Sequence, residues 1–427
     1  MQIDSMHIDH RKLGRELDLF DSDPLIGAGL PFWLPAGAAA RHAVESFLHE
    51  LERRAGYQHV YSPALGKKQM YELSGHWRNF ADDMFPPMAL GGDELVLRPS
   101  LCPHHALIFK ARQRSYRNLP LRIAELGPMY RAERSGVLGG LSRVRSIQLN
   151  DSHIFCALDQ VGDEVARVLR LMDVAHRALG MRPSSFRLSL RGDSGKYAGN
   201  DEMWAKASAL LRHALDISEI SYEEAPGEAA FYGPKIDIQI EDAAGREWSL
   251  STIQIDFHQP AQFGLEFSAA DGSRERPVMV HRSLAGSMER LFGHLIEVHQ
   301  GAFPLWYAPV QLDVLPISDD QAAAASAMRD RAIEAGLRAE VHHGGSIGAR
   351  IRAAAGRKIP YVGIVGKREA ADGLIALRLR DGPHPTAPPP LTGRKAQLPV
   401  MPAAEAIALI ASAASESQAG VEVRARP

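Results

Sequence analysis

The sequence predicts an α+β domain built on an antiparallel sheet, followed by a small α/β domain. Three observations predict it. Between residues 95 and 257, short runs alternate apolar and polar residues, with long connections between them. That pattern suits an antiparallel sheet with helices packed on it better than a βαβ series. From Gln311 onward, strand-like and helix-like runs alternate regularly, which indicates a mostly parallel sheet. No Gly-x-x-x-x-Gly-Lys-Ser/Thr run and no well-placed Gly-x-Gly-x-x-Gly run is present, which disfavours P-loop and dinucleotide folds.

The elements follow in order. His10 to Leu17 is a short helix, leading into a Gly/Pro-rich approach. Residues 38–54 form a helix: Val44, Phe47, Leu48 and Leu51 share one face, and Gly56 ends it. Tyr57 to Pro63 is a strand that ends in proline, as an edge or interface strand can. Met70 to Phe85 is helix and loop, and Leu95 to Leu97 a short strand. A helix follows Arg98-Pro99-Ser100-Leu101-Cys102-Pro103-His104-His105 and reaches Tyr116. Two strand-like runs joined by a glycine-bearing loop fill residues 121–156. Val161, Val165, Val168, Leu169 and Met172 mark a long amphipathic helix ending at Gly180. Strands follow at Phe186 to Leu190, Ile236 to Ile240, Glu247 to Phe257 and Pro277 to Ser283. A helix begins at Leu284. Phe303 to Trp306 marks a domain boundary. Beyond it come a strand at Leu312 to Leu315, a helix at Asp319 to Glu334, a strand at Ala339 to His342, a helix at Ile347 to Ala355 and a strand at Tyr361 to Val365. Gly382 to Pro390 is an extended linker, Ala403 to Ala414 a last helix, and residues 415–427 a disordered tail.

Composition narrows the class. The chain has 427 residues, of which 45% are hydrophobic and 23% charged, as expected of a soluble globular protein of two or three domains. A net charge of −2 means that any nucleic-acid partner must be met by local basic patches. Two cysteines, Cys102 and Cys156, suit a reducing cytoplasm rather than a disulfide framework. No apolar run approaches the length needed to span a membrane, and the polar N-terminus does not read as a signal peptide.

The chemistry concentrates in residues 121–156. Arg131 and Glu133 end the first run, Arg143 and Arg145 open the second, and Asp151 and His153 close it. Alternate residues of a strand share a face, so Asp151 and His153 lie together, as do Arg143 and Arg145. Two cationic strand ends meeting at a flexible loop can cradle a polyphosphate. A salt-bridged surface hairpin would carry the same charges. Cys102 flanked by His104 and His105 invites a metal, although a lone cysteine can equally be a small buried apolar residue. Small residues at Ala285, Gly286 and Ser287 let a backbone approach a ligand, with Arg290 one turn into the next helix. Pairing of Arg290 with a neighbouring carboxylate is the local alternative.

Taken together, these stretches resemble a class II aminoacyl-tRNA synthetase of the threonyl type, from about His10 to Arg380. Pro63 closes a run similar to the first class II motif, which builds the family's dimer interface. Tyr130-Arg131-Ala132-Glu133 resembles the second motif and Gly286-Ser287-Met288-Glu289-Arg290 the third. Cys102-Pro103-His104-His105, Asp151-Ser152-His153-Ile154-Phe155-Cys156, Phe231-Tyr232-Gly233-Pro234-Lys235 and His281-Arg282-Ser283-Leu284-Ala285-Gly286-Ser287 are similar to threonyl-type signatures.

The resemblance implies a catalytic domain over residues 1–306 and an anticodon-binding domain over 307–414. It implies Cys102, His153 and His281 as ligands of Zn²⁺, with a position left for the amino group and hydroxyl of threonine. Asp151, Tyr232 and Gln254 are implied as amino-acid contacts, and Arg131 as the α-phosphate clamp. Arg143 and Arg290 would hold the triphosphate with Mg²⁺, Glu133 would contact ATP, and Lys235 would lie near the reacting phosphate. Glu369 and Arg378 match anticodon-reading positions. The activity implied is ATP-dependent formation of threonyl-adenylate and transfer to tRNA(Thr) by a cytoplasmic homodimer.

Some positions depart from the family pattern. Ser100 and Leu101 precede Cys102 in place of methionine and asparagine. Ile147 stands where a phenylalanine stacks on adenine, and Leu149 and Ser249 replace glutamines. Gln259 and Phe263 replace leucines of a side pocket used by the macrolide borrelidin. His342-His343-Gly344-Gly345 replaces a charged loop of the anticodon domain. These changes suggest a specialised or inhibitor-tolerant copy. They also leave open adenylation of threonine, or another β-hydroxy amino acid, for a non-tRNA acceptor such as a carrier protein. The chain begins at the catalytic domain, so the expectation is that no editing domain corrects serine, which differs from threonine by one methyl group worth about 1–3 kcal/mol.

Overall fold

Alternating apolar residues place two sheets at the centre of the chain. The structure, a computed structural model, describes residues 9–193, 197–241, 245, 247–380 and 397–419. The larger sheet has eight strands: β1 (Gln58–His59), β2 (Leu121–Tyr130), β3 (Ser146–Cys156), β4 (Ser185–Leu190), β5 (Glu223–Pro226), β6 (Lys235–Glu241), β7 (Glu247–Asp256) and β8 (Val278–Ser283). Their order is β5-β4-β6-β7-β8-β3-β2-β1. The central strands from β4 to β2 pair antiparallel, as expected. The edge strands β5 and β1 join their neighbours parallel.

The two faces of this sheet have different jobs, and the period of two sets them apart. Ile236, Ile238 and Ile240 of β6, Ile253 and Ile255 of β7, Val278 and Val280 of β8, and Ile154 of β3 enter one core. Helices α1 (His10–Glu16), α2 (Pro35–Arg54), α3 (Cys102–Lys110), α4 (Val161–Leu179), α5 (Asp201–Ile217) and α6 (Met288–Val298) surround the sheet. Val165, Val168, Leu169 and Met172 of α4 and Leu211 and Leu215 of α5 supply that core. Gly180 stops α4 with φ of 74°, a left-handed turn that glycine adopts without steric cost. The intervening residues, among them Asp151, His153, Gln254 and His281, line a cavity on the other face.

Several elements differ from expectation. The 57–63 strand shortens to β1, at the sheet edge. The helix after Cys102 ends at Lys110, because Ser115 and Asn118 cap a separate turn, with Ser115 N–H donating to Asn118 Oδ1 at 2.9 Å. The helix expected from Leu284 begins at Met288, since Ser287 Oγ accepts from Arg290 N–H at 3.1 Å. Helix α5 is not among the expected elements, although Trp204, Ala207, Leu211 and Leu215 share one face behind the Asn200 cap.

The second sheet consists of β9 (Leu312–Pro316), β10 (Ala339–Val341), β11 (Tyr361–Val365), β12 (Leu374–Leu379) and β13 (Gln397–Pro402), in the order β10-β9-β11-β12-β13. Only the β10–β9 and β9–β11 pairs are parallel, so the sheet is mixed rather than mostly parallel. The last helix runs on to Ala419, past the expected start of the tail at Ser415. The 382–390 linker and residues 420–427 fall outside the described residues. Among the described residues, no helix is long and apolar enough to cross a membrane.

One buried ion pair joins the helical layer to the sheet. Arg282 Nη1 donates to Glu52 Oε1 at 2.7 Å, and Asn150 Nδ2 donates to the same oxygen at 2.9 Å. His59 Nε2 is 2.8 Å from Glu52 Oε2, and the Arg282 guanidinium lies 4.2 Å from the centre of the Tyr57 ring. Removing one partner leaves an uncompensated buried charge, which costs about 3–5 kcal/mol. Glu52→Ala is therefore expected to lower the urea unfolding midpoint sharply, whereas Glu50→Ala, at an exposed arginine pair, should leave it within error. Equal midpoints for the two variants would contradict this.

Candidate active site

The register of the sheet builds the site. Lys235 of β6 lies opposite Gln254 of β7, Gln254 opposite His281 of β8, and His281 opposite His153 of β3. These residues form a transverse row on the cavity face of neighbouring strands. Cys102 enters from the N-terminus of α3. The ligand atoms of Cys102, His153 and His281 all lie within 4.8 Å of one another. The cavity has a volume of about 470 Å³ and also contains Arg131, Asp151, Tyr232 and Arg290.

The donor set fits a borderline-soft cation such as Zn²⁺. Glu125 Oε2 lies 3.2 Å from His105 Nε2, and His105 Nδ1 lies 2.7 Å from His153 Nδ1. Asp256 Oδ2 lies 2.9 Å from His281 Nε2. A carboxylate only accepts, so these contacts assign a proton to His105 Nε2, to His153 Nδ1 and to His281 Nε2. His153 Nε2 and His281 Nδ1 are then both lone pairs, facing each other at 3.0 Å. Two lone pairs at that distance repel, and a cation between them relieves the repulsion. Backing of each imidazole by an acceptor is the usual support of a histidine ligand.

Burial raises the Cys102 thiol to about 12, and the thiol donates to Ser100 Oγ at 3.4 Å; a bound cation would reverse the effect of burial. His76 lies beside it, with Nε2 3.6 Å from Cys102 Sγ and 3.0 Å from Ser100 Oγ. Burial lowers His76 to about 3, so it is neutral at pH 7. Burial also raises Asp151 and Tyr232, and the Tyr232 hydroxyl donates to Gln254 Oε1. Lys235 forms an ion pair with the buried carboxylate of Asp237, whose Oδ2 also accepts from Ser189 Oγ at 2.6 Å.

The other end of the cavity is cationic. Burial lowers the pKa of Arg131, and burial followed by Arg131 and Arg143 lowers that of Arg290. Guanidinium groups that disfavour one another at the mouth of a cavity are poised for a polyanion. Arg290 is held by the carbonyls of Ser142 at 3.1 Å and Ser249 at 3.4 Å. Gly286 opens the loop before it at φ of 64°, and a Cβ there would meet Leu250 O at 2.6 Å.

The strand assignment of the arginines is corrected: β2 ends at Tyr130 and β3 begins at Ser146, so Arg131, Arg143 and Arg145 lie in the connecting loop. Arg143 does not line the cavity. It pairs with Glu133 at 2.8 Å in the adjoining clefts. Arg145 instead holds the loop, donating to the Glu133 and Ala28 carbonyls at 2.9 and 3.0 Å. In the second domain, Glu369 Oε2 accepts from Gly366 N–H at 3.1 Å, and Arg378 is exposed on β12. Sequence reasoning missed His76, Phe80, Asp83 and Thr252 on the cavity wall; the alternation of β7 could have revealed Thr252, two residues before Gln254.

Comparison with known proteins fits this geometry. Residues 89–299 match the tRNA synthetase class II core domain (G, H, P, S and T), and residues 311–385 match the anticodon binding domain. Threonine–tRNA ligase of Halalkalibacterium halodurans is 48% identical over 374 residues, 87% of this chain and 58% of that protein. Threonine–tRNA ligase of Listeria monocytogenes is 46% identical over 382 residues, 88% of this chain and 60% of that protein. The chain thus spans about three-fifths of the length of the curated relatives it matches. A crystal structure titled as the RNA binding domain of threonyl-tRNA synthetase from Cryptosporidium parvum superposes with a TM-score of 0.87 at 33% identity, covering 95% of this chain and 98% of that one.

The histidine support makes the site sensitive to acid. Burial raises the Glu125 carboxyl, but hydrogen bonds from His105 and Ser62 and the charge of Arg98 outweigh it and hold it at about 2. A depressed folded-state pKa contributes stability above the unfolded value, and that stability is lost as pH falls through the folded one. Unfolding midpoints measured from pH 6 down to pH 2.5 should therefore fall, and Glu125→Gln should be less stable at pH 6 with a flatter profile. A parallel profile in the variant would show that Glu125 does not carry this dependence.

Proposed function

The chain belongs to the threonyl-tRNA synthetase family of class II, and from that premise we propose that it activates L-threonine with ATP and transfers the threonyl group to tRNA(Thr). The observation that carries this reading is the two-ended cavity, with a cysteine–histidine cluster at one end and converging guanidinium groups at the other.

Cys102, His153 and His281 would hold Zn²⁺. When bound, that ion supplies a Lewis-acidic contact for the amino group and β-hydroxyl of threonine. Asp151 accepts from the substrate ammonium, and Tyr232 and Gln254 close the pocket over it. Valine is disfavoured because a site built to bond a hydroxyl is left unpaired without one. At the other end, Arg131 holds the α-phosphate. Arg290 and Arg143, with Mg²⁺, hold the β- and γ-phosphates, and Glu133 orients Arg143. Lys235, oriented by Asp237, faces the developing charge. The substrate carboxylate attacks the α-phosphorus, the bond to the β-phosphate bridging oxygen breaks, and pyrophosphate leaves. A ribose hydroxyl of tRNA then attacks the adenylate carbonyl, AMP leaves, and no protein nucleophile is required.

The domains follow this assignment, with catalysis in residues 1–306 and anticodon contacts over 307–414 using Arg378 and Glu369. The apolar surface beside edge strand β1, where Tyr61 is 91% exposed and Leu65 40% exposed, supports a homodimer through this edge. The two cysteines are buried and unpaired, in keeping with the cytoplasm.

The test is ATP–pyrophosphate exchange across the amino acids, followed by acylation of tRNA(Thr). Threonine should give the highest exchange and valine little. Arg131→Ala and Arg290→Ala should each lower the rate by roughly 10²- to 10³-fold. Exchange without acylation of tRNA would favour a carrier-protein acceptor, and absence of exchange with every amino acid would sink the proposal.

A further inference from the structure

Gln259 is a fully buried carboxamide on the short helix His258–Gln262. Its surroundings are apolar: Cys102 and Phe263 pack there in one cluster with Phe109, Phe155 and Leu265. A buried amide is costly unless its polar atoms are bonded. Gln259 Nε2 donates to Asp256 Oδ2 at 2.9 Å, and the Gln259 backbone N–H donates to Asp256 Oδ1 at 2.9 Å. Because that carboxylate only accepts, the amide orientation is fixed, with the NH₂ group toward Asp256. Gln259 Oε1 is left buried without a partner among the described residues. The same Asp256 Oδ2 accepts from His281 Nε2 at 2.9 Å. One side chain thus reaches His281 through Asp256.

We infer that Gln259 is a positioning residue of the Cys102–His153–His281 centre: it anchors Asp256 behind His281. The inference rests on reading that cluster as a metal site. By holding Asp256, the amide fixes the ring of His281 with its Nδ1 lone pair toward His153 Nε2. A leucine or methionine at 259 fills similar space and supplies no such anchor. The orphaned Oε1 fits this role, because leaving an acceptor buried and unbonded is unfavourable and an apolar residue would avoid it. The polar group serves the ligands rather than the packing.

The test uses the full chain loaded with Co²⁺, whose thiolate charge-transfer band reports on the sulfur. Relative to the parent protein, Gln259→Met should bind Co²⁺ and Zn²⁺ about 10-fold or more weakly in competition with a chelator, as loss of an outer-shell partner does. The metal-free melting temperature should be unchanged or higher, which separates loss of the anchor from loss of the fold. Gln259→Leu should behave in the same way. Affinity within twofold of the parent would overturn the inference while leaving the metal site intact. A parent protein without a thiolate band, or one whose band survives in Cys102→Ser, would overturn both.

Discussion

Two consecutive residues of β8 face opposite ways, and the arrangement of the site depends on that opposition. His281 points into the cavity, where it meets His153 across the strand pair. Arg282 points into the helical layer, where Glu52 and Asn150 hold it. A one-residue slip of β8 would place the guanidinium in the cavity and the imidazole in the core. Slipping also exchanges every apolar partner of the strand, and here it would leave Glu52 buried without its cation. The ion pair thus penalises the wrong register. It is a specificity device as much as a stabilising one.

The same reasoning separates the two ends of the cavity. The cysteine–histidine end sits on a rigid row across four strands, and each imidazole there is backed by a further acceptor. The cationic end is built on a loop. There the β2–β3 ladder gives way because Arg145 N–H donates to Gly29 O at 2.7 Å rather than across the hairpin. A rigid end suits discrimination of a small polar group, which demands fixed geometry. A loop suits a flexible polyphosphate that orders its own ligands.

This division also explains what was legible in the sequence. The apolar alternation of Ile236 to Ile240 and the helical spacing of Val165 to Met172 are local patterns, and both elements formed as read. Arg143 and Arg145 show the same alternation without belonging to a strand. Arg143 N–H turns back to Gly139 O and Arg145 N–H donates to the distant Gly29 O, and alternation alone encodes neither. The support of His153 by His105 and Glu125 spans three separate elements and is equally invisible locally. The two antiparallel strands of the second sheet were missed for a related reason: β13 reaches its partner only after the proline-rich segment, so its pairing is set by tertiary contact.

The unusual residues of the site follow the same boundary. Ile147 and Leu149 point into the cavity from β3, four and two residues before Asp151 on the same face. They make the middle of the cavity apolar while both charged ends remain. Gln259 does the reverse, placing a polar group beside an apolar cluster behind Cys102 and His281. An apolar wall between two polar ends weakens hydrogen-bonded recognition of whatever spans them, and it shifts discrimination toward the ends. Reinforcing the cysteine–histidine end with an additional buried anchor on Asp256 is then a physically consistent counterpart, because more of the selectivity has to be carried there.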